Sequence, residues 1–413
     1  MEIINTIIGL GASVMMPIIF FVVGLIFRMG IGKSFKAGMT VGVGFVGVNM
    51  VINLLLDNLG PASKAMVNRL GLHLTTVDVG WPTASTVGWG TPIMVATVVG
   101  FLVINAIMVF CKLTKTIDVD IFNYWIFLQV GALVYAVTGN FWFAVIFTWV
   151  IFAIVLKVAD LTAPYIQKEY NLEGISFPHL AGLAWSPLAI AVNWIIDKIP
   201  GLKNVDFNAD KIRKRFGAIG EPVVIGFILG LLIGVLAGYS PDKSVTLAIN
   251  IAAAMVLLPK MIDVLIEGLI SVRDAAEKQL KIWFPNREFY IGMDTALLAT
   301  GLLLIPITIL LAFILPGNEM LPFADLASLV FILALVTPFV RRNMFKMLIV
   351  GTLSVIIILY VGTDIAPWVT QSFTQSNIDL PKDFTAVTNM TGAVSTWIGW
   401  VAVKIGELFN MIA

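Results

Sequence analysis

Apolar residues in this chain run in long blocks broken by short polar punctuation. They lie near 6–27, 37–56, 91–111, 121–138, 140–159, 221–239, 245–270, 295–315, 324–340 and 345–361. Blocks of about 17–25 residues match the length of a helix crossing a hydrocarbon core. A more polar block at 392–411 (GAVSTWIGWVAVKIGELFNM) brings the count to about eleven. Two further stretches, 180–196 after an FPH turn and 79–92 (VGWPTASTVGWGTP), read as re-entrant hairpins. Irregular backbone survives at membrane depth only where protein or water satisfies its polar groups, so both are expected to line a cavity. Residues 57–70 (DNLGPASKAMVNRL) and 271–284 (SVRDAAEKQLKIWF) are amphipathic and are expected to lie along the interface or link two bundles. The pattern predicts an all-α integral membrane fold.

Composition agrees. Hydrophobic residues make up 59% and charged residues 12%, with a mean hydropathy of +0.96, whereas soluble domains carry about 25% charged residues. The formal net charge of +1 gives no nucleic-acid footprint. A single cysteine, Cys111, excludes disulfides within the chain and cysteine-type metal sites. The first apolar block lacks a basic leader and a small-residue cleavage site, so no cleaved signal is expected.

The chain also matches itself at an offset of about 210 residues. GASV (11–14) aligns with GEPV (220–223), SFKAG (34–38) with SVTLA (244–248), and LLLDNL (54–59) with VLIEGL (264–269). Asp57 thereby stands opposite Glu267, and each copy then reaches a polar turn with an aspartate, Asp78 or Asp294. About five spans separate the copies, and an odd number inverts the second. Two inverted repeats are therefore expected, over 1–210 and 211–364, with 365–413 forming a C-terminal loop and final span. Basic residues fit this topology: Arg28, Lys33 and Lys36; Lys112 and Lys115; Lys198 to Arg215; Arg273 to Arg287; and Arg341, Arg342 and Lys346 all fall on one side. The positive-inside rule makes that side cytoplasmic.

Ionisable groups at membrane depth are costly and invite a functional reading. Asp294, in YIGMDTALL, can accept hydroxyl hydrogen bonds, act as a general base, or simply cap the following helix. His179, closing EGISFPH, can donate to a hydroxyl, shuttle a proton, or bond a loop carbonyl. Glu221, in GEPV, is a candidate ligand or a helix-dipole partner. Asp78 and Trp81, in DVGWP, offer a carboxylate and a stacking face, and Asn123 and Trp125, in VDIFNYW, an amide and an indole donor. No metal-ligand cluster, phosphate-binding loop or nucleophile triad is present, and no cofactor is expected.

These motifs, with KRFGAIGEPV (214–223), AGYS (237–240) and PGNEMLPFADLA (316–327), resemble the galactitol-specific IIC permease component of bacterial phosphotransferase systems. The resemblance runs from about Gly11 to about Asp364. It implies a homodimer in the bacterial inner membrane, with inverted repeats, a substrate-holding core and a dimerising scaffold. It implies elevator-like transport of a polyol, phosphorylated by a cytoplasmic IIB partner working with IIA. By similarity to the related ascorbate permeases it points to His179, Asp294, Asp78 and Trp81 as site residues. Phosphate must come from another chain, because Cys111 falls within an apolar block, out of a soluble donor's reach. The absence of arginine from DVGWP, VDIFNYW, SFPH and GMDTALL suits a neutral substrate. The alternative is a proton- or sodium-coupled secondary transporter using Asp294 and His179. An intramembrane enzyme would need a nucleophile–base pair that the chain does not offer.

Overall fold

The structure, a computed structural model, describes residues 12–412 other than 71–73, 119–120, 171–173, 175, 207–221, 284–294, 377, 379 and 381–384. In chain order the elements are α1 (Ala12–Ile26), α2 (Ile31–Leu70), β1 (Thr76–Asp78), α3 (Gly80–Gly90), α4 (Met94–Phe110), α5 (Ile121–Thr138) and α6 (Phe141–Tyr170). Then come α7 (Leu180–Leu183), α8 (Ser186–Lys198), α9 (Pro222–Leu236), α10 (Pro241–Trp283), α11 (Thr295–Ile314) and β2 (Met320–Leu321). A 3-10 turn (Leu326–Ser328), α12 (Val330–Ala334), α13 (Thr337–Val340), α14 (Met344–Gln375), β3 (Ala386–Thr388) and α15 (Trp397–Ile412) complete the chain. Two compact units result. One takes Met1–Leu72, Glu221–Glu288 and Asn377–Asp383; the other takes His73–Gly220, Phe289–Ser376 and Phe384–Ala413.

The first unit contains two helix pairs of similar build. The 15-residue α1 turns into the 40-residue α2, and the 15-residue α9 into the 43-residue α10. Both turns use a left-handed residue, Arg28 (φ 57) and Gly238 (φ 77), 210 positions apart. Gly24 lies against Ser34 as Gly234 lies against Ser244, at the same offset. Gly226, Gly230 and Gly234, one turn apart on α9, let it approach α10 closely: a Cβ on Gly230 would fall 2.5 Å from the Ala248 Cα. Asn250 Nδ2 donates to Asn58 Oδ1 at 2.6 Å, a polar tie that holds α10 to α2 within apolar packing.

In the second unit the sidedness of the helices is inside out. On α6, Thr148, Phe152, Leu156 and Ala159 are buried, while Trp142, Ile146, Val150 and Ile154 are exposed. Both faces are apolar, as hydrocarbon on the outside requires. By length and composition, three stretches among the described residues can cross a membrane: Phe141–Tyr170, Leu180–Lys198 and Met344–Gln375. Phe101 of α4, Phe127 of α5 and Phe152 of α6 interlock with ring centroids 4.5–5.6 Å apart, fixing α5 against its neighbours. At the unit's centre is a three-stranded parallel sheet in the order β2-β1-β3. Val77 pairs with Leu321 on one side and Val387 on the other, and all three side chains are buried.

Several expectations need correction. The fold is not all helical: three short strands meet at its core. Residues 57–70 and 271–283 are not separate interfacial helices but continuations of α2 and α10. Pro61 is accommodated inside α2, and Ala62 and Met66 remain buried. The block 324–340 is not one span; it breaks into the 3-10 turn, α12 and α13. The stretch expected as a re-entrant hairpin over 180–196 is instead long and apolar enough, over Leu180–Lys198, to cross a membrane, with α7 and α8 meeting at Ala184–Trp185. Cys111 is not within a span; it is the exposed C-cap of α4.

Overpacking the α9–α10 seam tests this arrangement. Gly230→Leu is expected to destabilise the detergent-solubilised protein by about 3 kcal/mol, read as a lowered thermal midpoint. Gly32→Ala, where an added Cβ meets nothing within 4 Å, should change stability by less than about 0.5 kcal/mol.

Candidate functional site

Parallel strands point their carboxyl ends the same way, so the segments leaving β1, β2 and β3 converge. The convergence is held by two aspartates, both 0% exposed. Asp78, closing β1, accepts from Gly80 N at 3.0 Å through Oδ1, and from Phe323 N at 3.0 Å and Asp325 N at 2.8 Å through Oδ2. Asp325, after β2, accepts from Trp81 N at 2.9 Å through Oδ1, and from Met390 N and Thr391 N, both at 2.9 Å, through Oδ2. Each carboxylate thus satisfies three backbone N–H groups. These groups belong to chain leaving the strands, where no helix or sheet supplies them with partners, and a buried N–H cannot be left unmade cheaply.

Beside this clasp stands an aromatic pair. Trp81, in the first turn of α3, stacks on Trp125 of α5 with ring centroids 5.6 Å apart and planes at 25°. One turn further along α5, Gln129 Nε2 donates to Asn389 Oδ1 at 2.9 Å. Asn389 directly follows β3. Four buried polar atoms here have no hydrogen-bond partner: the indole nitrogens of Trp81 and Trp125, Gln129 Oε1 and Asn389 Nδ2. Gly392 completes the surface, since a Cβ there would run into Asn389 Nδ2 and lie 2.9 Å from Gln129 Oε1. Two donors on a flat apolar face, with an adjacent acceptor and donor, are the set that a hydroxyl-rich neutral molecule can satisfy.

The expected site residues distribute unevenly. Asp78, Trp81 and Trp125 come together. Asn123, two positions from Trp125 and so on another face of α5, instead donates towards Asp118 at 3.3 and 3.4 Å. His179 caps α7, its Nδ1 accepting from Gly182 N at 3.0 Å. That bond leaves the ring neutral, with its proton on Nε2. Asp294 and Glu221 lie outside the described residues.

Asp325, Gln129 and Asn389 escaped the sequence reading. A signal for Asp325 exists: FADLASL (323–329) repeats the Phe, Leu, Ala and Leu of FPHLAGL (177–183) at the same spacing, with Asp325 in the place of His179. Both residues immediately precede a short helical turn. Similarly, AVTNMTGAVST (386–396) echoes TVDVGWPTAST (76–86), and the two are register partners in the sheet.

Comparison with known proteins adds to this geometry. Residues 6–383 match the family described as PTS system sugar-specific permease component. The "Putative permease IIC component" of Escherichia coli (strain K12) is 39% identical over 412 residues, covering 98% of this chain and 93% of the relative. The "PTS system galactitol-specific EIIC component" of the same strain is 37% identical over 404 residues, covering 96% and 90%. That of Escherichia coli O157:H7 gives the same figures. The similarity continues past Asp364, where the motif resemblance ended.

The clasp can be tested without a ligand. Asp325→Asn turns an acceptor into a donor facing N–H groups, at about 1–3 kcal/mol for each buried donor left unpaired. A lower thermal midpoint is expected, together with loss of the near-ultraviolet dichroism of the stacked indoles. An unchanged spectrum and midpoint would show that Asp325 holds nothing.

Proposed function

Because the chain belongs to the sugar-specific permease components of the phosphotransferase system, we propose that it carries galactitol or a closely related hexitol across a bacterial inner membrane for phosphorylation by IIB. The observation that carries the substrate site is the group of four unpartnered buried polar atoms around the Trp81–Trp125 stack. A hexitol presents a C–H face to an indole and hydroxyls to its edge. The free indole N–H groups can donate to those hydroxyls, while Gln129 Oε1 and Asn389 Nδ2 can accept from and donate to another. The two relatives named as galactitol-specific support the choice of substrate class.

Asp78 and Asp325 position this surface and do not read the substrate, since their oxygens already serve backbone N–H groups. His179 contributes a fixed Nε2–H donor and not a proton relay. Asp294 remains our candidate base. In the transfer step a substrate hydroxyl oxygen bonds to the phosphorus carried by IIB, the bond from phosphorus to IIB breaks, and the hydroxyl proton passes to that base. IIA recharges IIB. The chain supplies positioning, which is worth several kcal/mol in such reactions.

Inverted repeats, a homodimer and an elevator-like displacement belong to the same proposal. The matched α1–α2 and α9–α10 pairs, and two units each drawn from both halves of the chain, support it. A site whose clasp lies wholly within one unit is suited to being carried as a body.

In proteoliposomes supplied with phosphorylated IIB, galactitol is expected to arrive inside as its phosphate. Accumulation of unmodified galactitol driven by an ion gradient, with no IIB present, would refute the proposal. Trp125→Ala should weaken hexitol binding about 10- to 100-fold, the equivalent of about 1–3 kcal/mol for donors left unpaired; calorimetric titration reads this directly. Asp294→Asn should reduce phosphorylation more than binding, and an equal loss of both would make it a binder alone.

A further inference from the structure

A second feature of the second unit lies away from the candidate site, where α8 ends and α14 begins. Five cations among the described residues are exposed there: Lys168 in the last turn of α6, Lys198 at the end of α8, its ammonium 3.7 Å from the Trp194 ring centroid, Lys203 in the turn that follows, and Arg341 and Arg342 between α13 and α14. Three acids among the described residues share the junction, and each is engaged. Glu169 pairs with Arg342 at 2.8 Å, Asp197 with the buried Lys346 at 2.6 Å, and Asp206 accepts from Met344 N at 2.8 Å. Asp197 also lies within electrostatic reach of Lys203 and Arg341, which places the two on one surface. Internal pairing therefore leaves a positive collar.

Its backbone differs from the other basic turns: Arg28 and Lys112 are single left-handed residues, whereas Arg341 and Arg342 are consecutive, with φ of 55 and 56. That conformation costs a side-chain-bearing residue about 1–2 kcal/mol. The surroundings hold it in place: Arg342 Nη2 donates to Glu169 O at 2.7 Å, Asn343 Nδ2 to Val205 O at 2.9 Å, and Asn343 Oδ1 caps Lys346 N at 2.9 Å. A positive-inside charge bias alone would be met by lysines on a slack loop. A strained turn, pinned at several points and displaying an arginine, indicates a surface whose shape matters.

We infer that this collar of Lys198, Lys203 and Arg341 is the docking surface for the phosphorylated cytoplasmic domain that gives up its phosphoryl group to the substrate. The inference rests on the phosphotransferase reading above. A phosphoryl group brings about −1.5 to −2 charges, and guanidinium and ammonium groups are its usual recognition partners. The 13-residue α8 separates the collar from the His179 turn by a rise of about 20 Å, so the collar meets the carrier domain before its phosphoryl group is transferred.

The test uses full-length protein in nanodiscs and a purified galactitol-type IIB, phosphorylated in vitro. The triple variant Lys198→Gln, Lys203→Gln, Arg341→Gln is expected to raise the Kd for phosphorylated IIB about tenfold and to flatten its salt dependence, as loss of steering charges does. Hexitol affinity should stay within about twofold, since none of the three touches that site. A control triple, Lys33→Gln, Lys36→Gln, Lys112→Gln, should bind IIB like the wild type. The inference fails if the collar triple binds IIB normally, or if the control weakens binding as much. It also fails if the deficit appears only with anionic lipid, which would make the collar a lipid contact. Wild type that binds phosphorylated IIB through the collar but transfers nothing to hexitols would sink the functional proposal and leave the docking surface standing.

Discussion

Two buried carboxylates that each accept three backbone N–H groups are the constraint on which the second unit is built. In an apolar surrounding, irregular backbone is forbidden unless its polar groups find partners. Asp78 and Asp325 supply those partners for three stretches of chain at once, those following β1, β2 and β3. The strands themselves are only two or three residues long and could not organise the region alone. With the carboxylates in place the chain can leave each strand with its first backbone N–H groups partnered. The block 324–340 is not one span: it starts at the clasp, where Asp325 N donates to Asp78 Oδ2, and breaks into the 3-10 turn, α12 and α13.

The contrast between backbone and side chains at this point is informative. Every N–H named at the clasp is satisfied, whereas two indoles and two amides beside it keep buried atoms unpaired. Leaving a buried polar atom unpaired costs about 1–3 kcal/mol, and native proteins keep few. A cost carried at four atoms, two on a stacked aromatic pair and two on an amide pair beside it, is more readily understood as recognition than as poor packing. The same arrangement favours selectivity. A site built to hydrogen-bond a hydroxyl penalises an analogue that lacks it, because its own buried groups are then stranded.

Much of this was legible in the chain, and the failures have physical causes. Long apolar blocks revealed helices because burial against lipid makes every face apolar. DVGWP and NYW revealed Trp81 and Trp125 because polar groups among Gly and Pro at membrane depth need a reason. The sheet was invisible because strands of two or three residues have no periodicity to read. Asp325 was hidden because PFADLASLVFILALV scans as one span with a lone acid, and only its likeness to FPHLAGL separates it. Gln129 and Asn389 lie 260 residues apart, and nothing local announces that an amide in mid-helix meets one after a strand. The breaks expected after Leu56 and Ile270 failed for the opposite reason: the helices simply continue through the polar residues there.

The clasp also bears on what the site can hold and release. Its two aspartates have N–H dipoles for partners, and among the described residues no cation pairs with either. An anion entering would face carboxylates with no counter-charge, and buried charge without a partner is costly. A neutral hexitol, the substrate proposed above, would incur no such penalty. On the phosphotransferase reading, phosphorylation then reverses the preference, since the product gains about −1.5 to −2 charges beside two carboxylates in a medium of low dielectric, where repulsion is strong. On that reading the step that traps the sugar would also expel it, and the groups that built the proposed site would disfavour rebinding of the product.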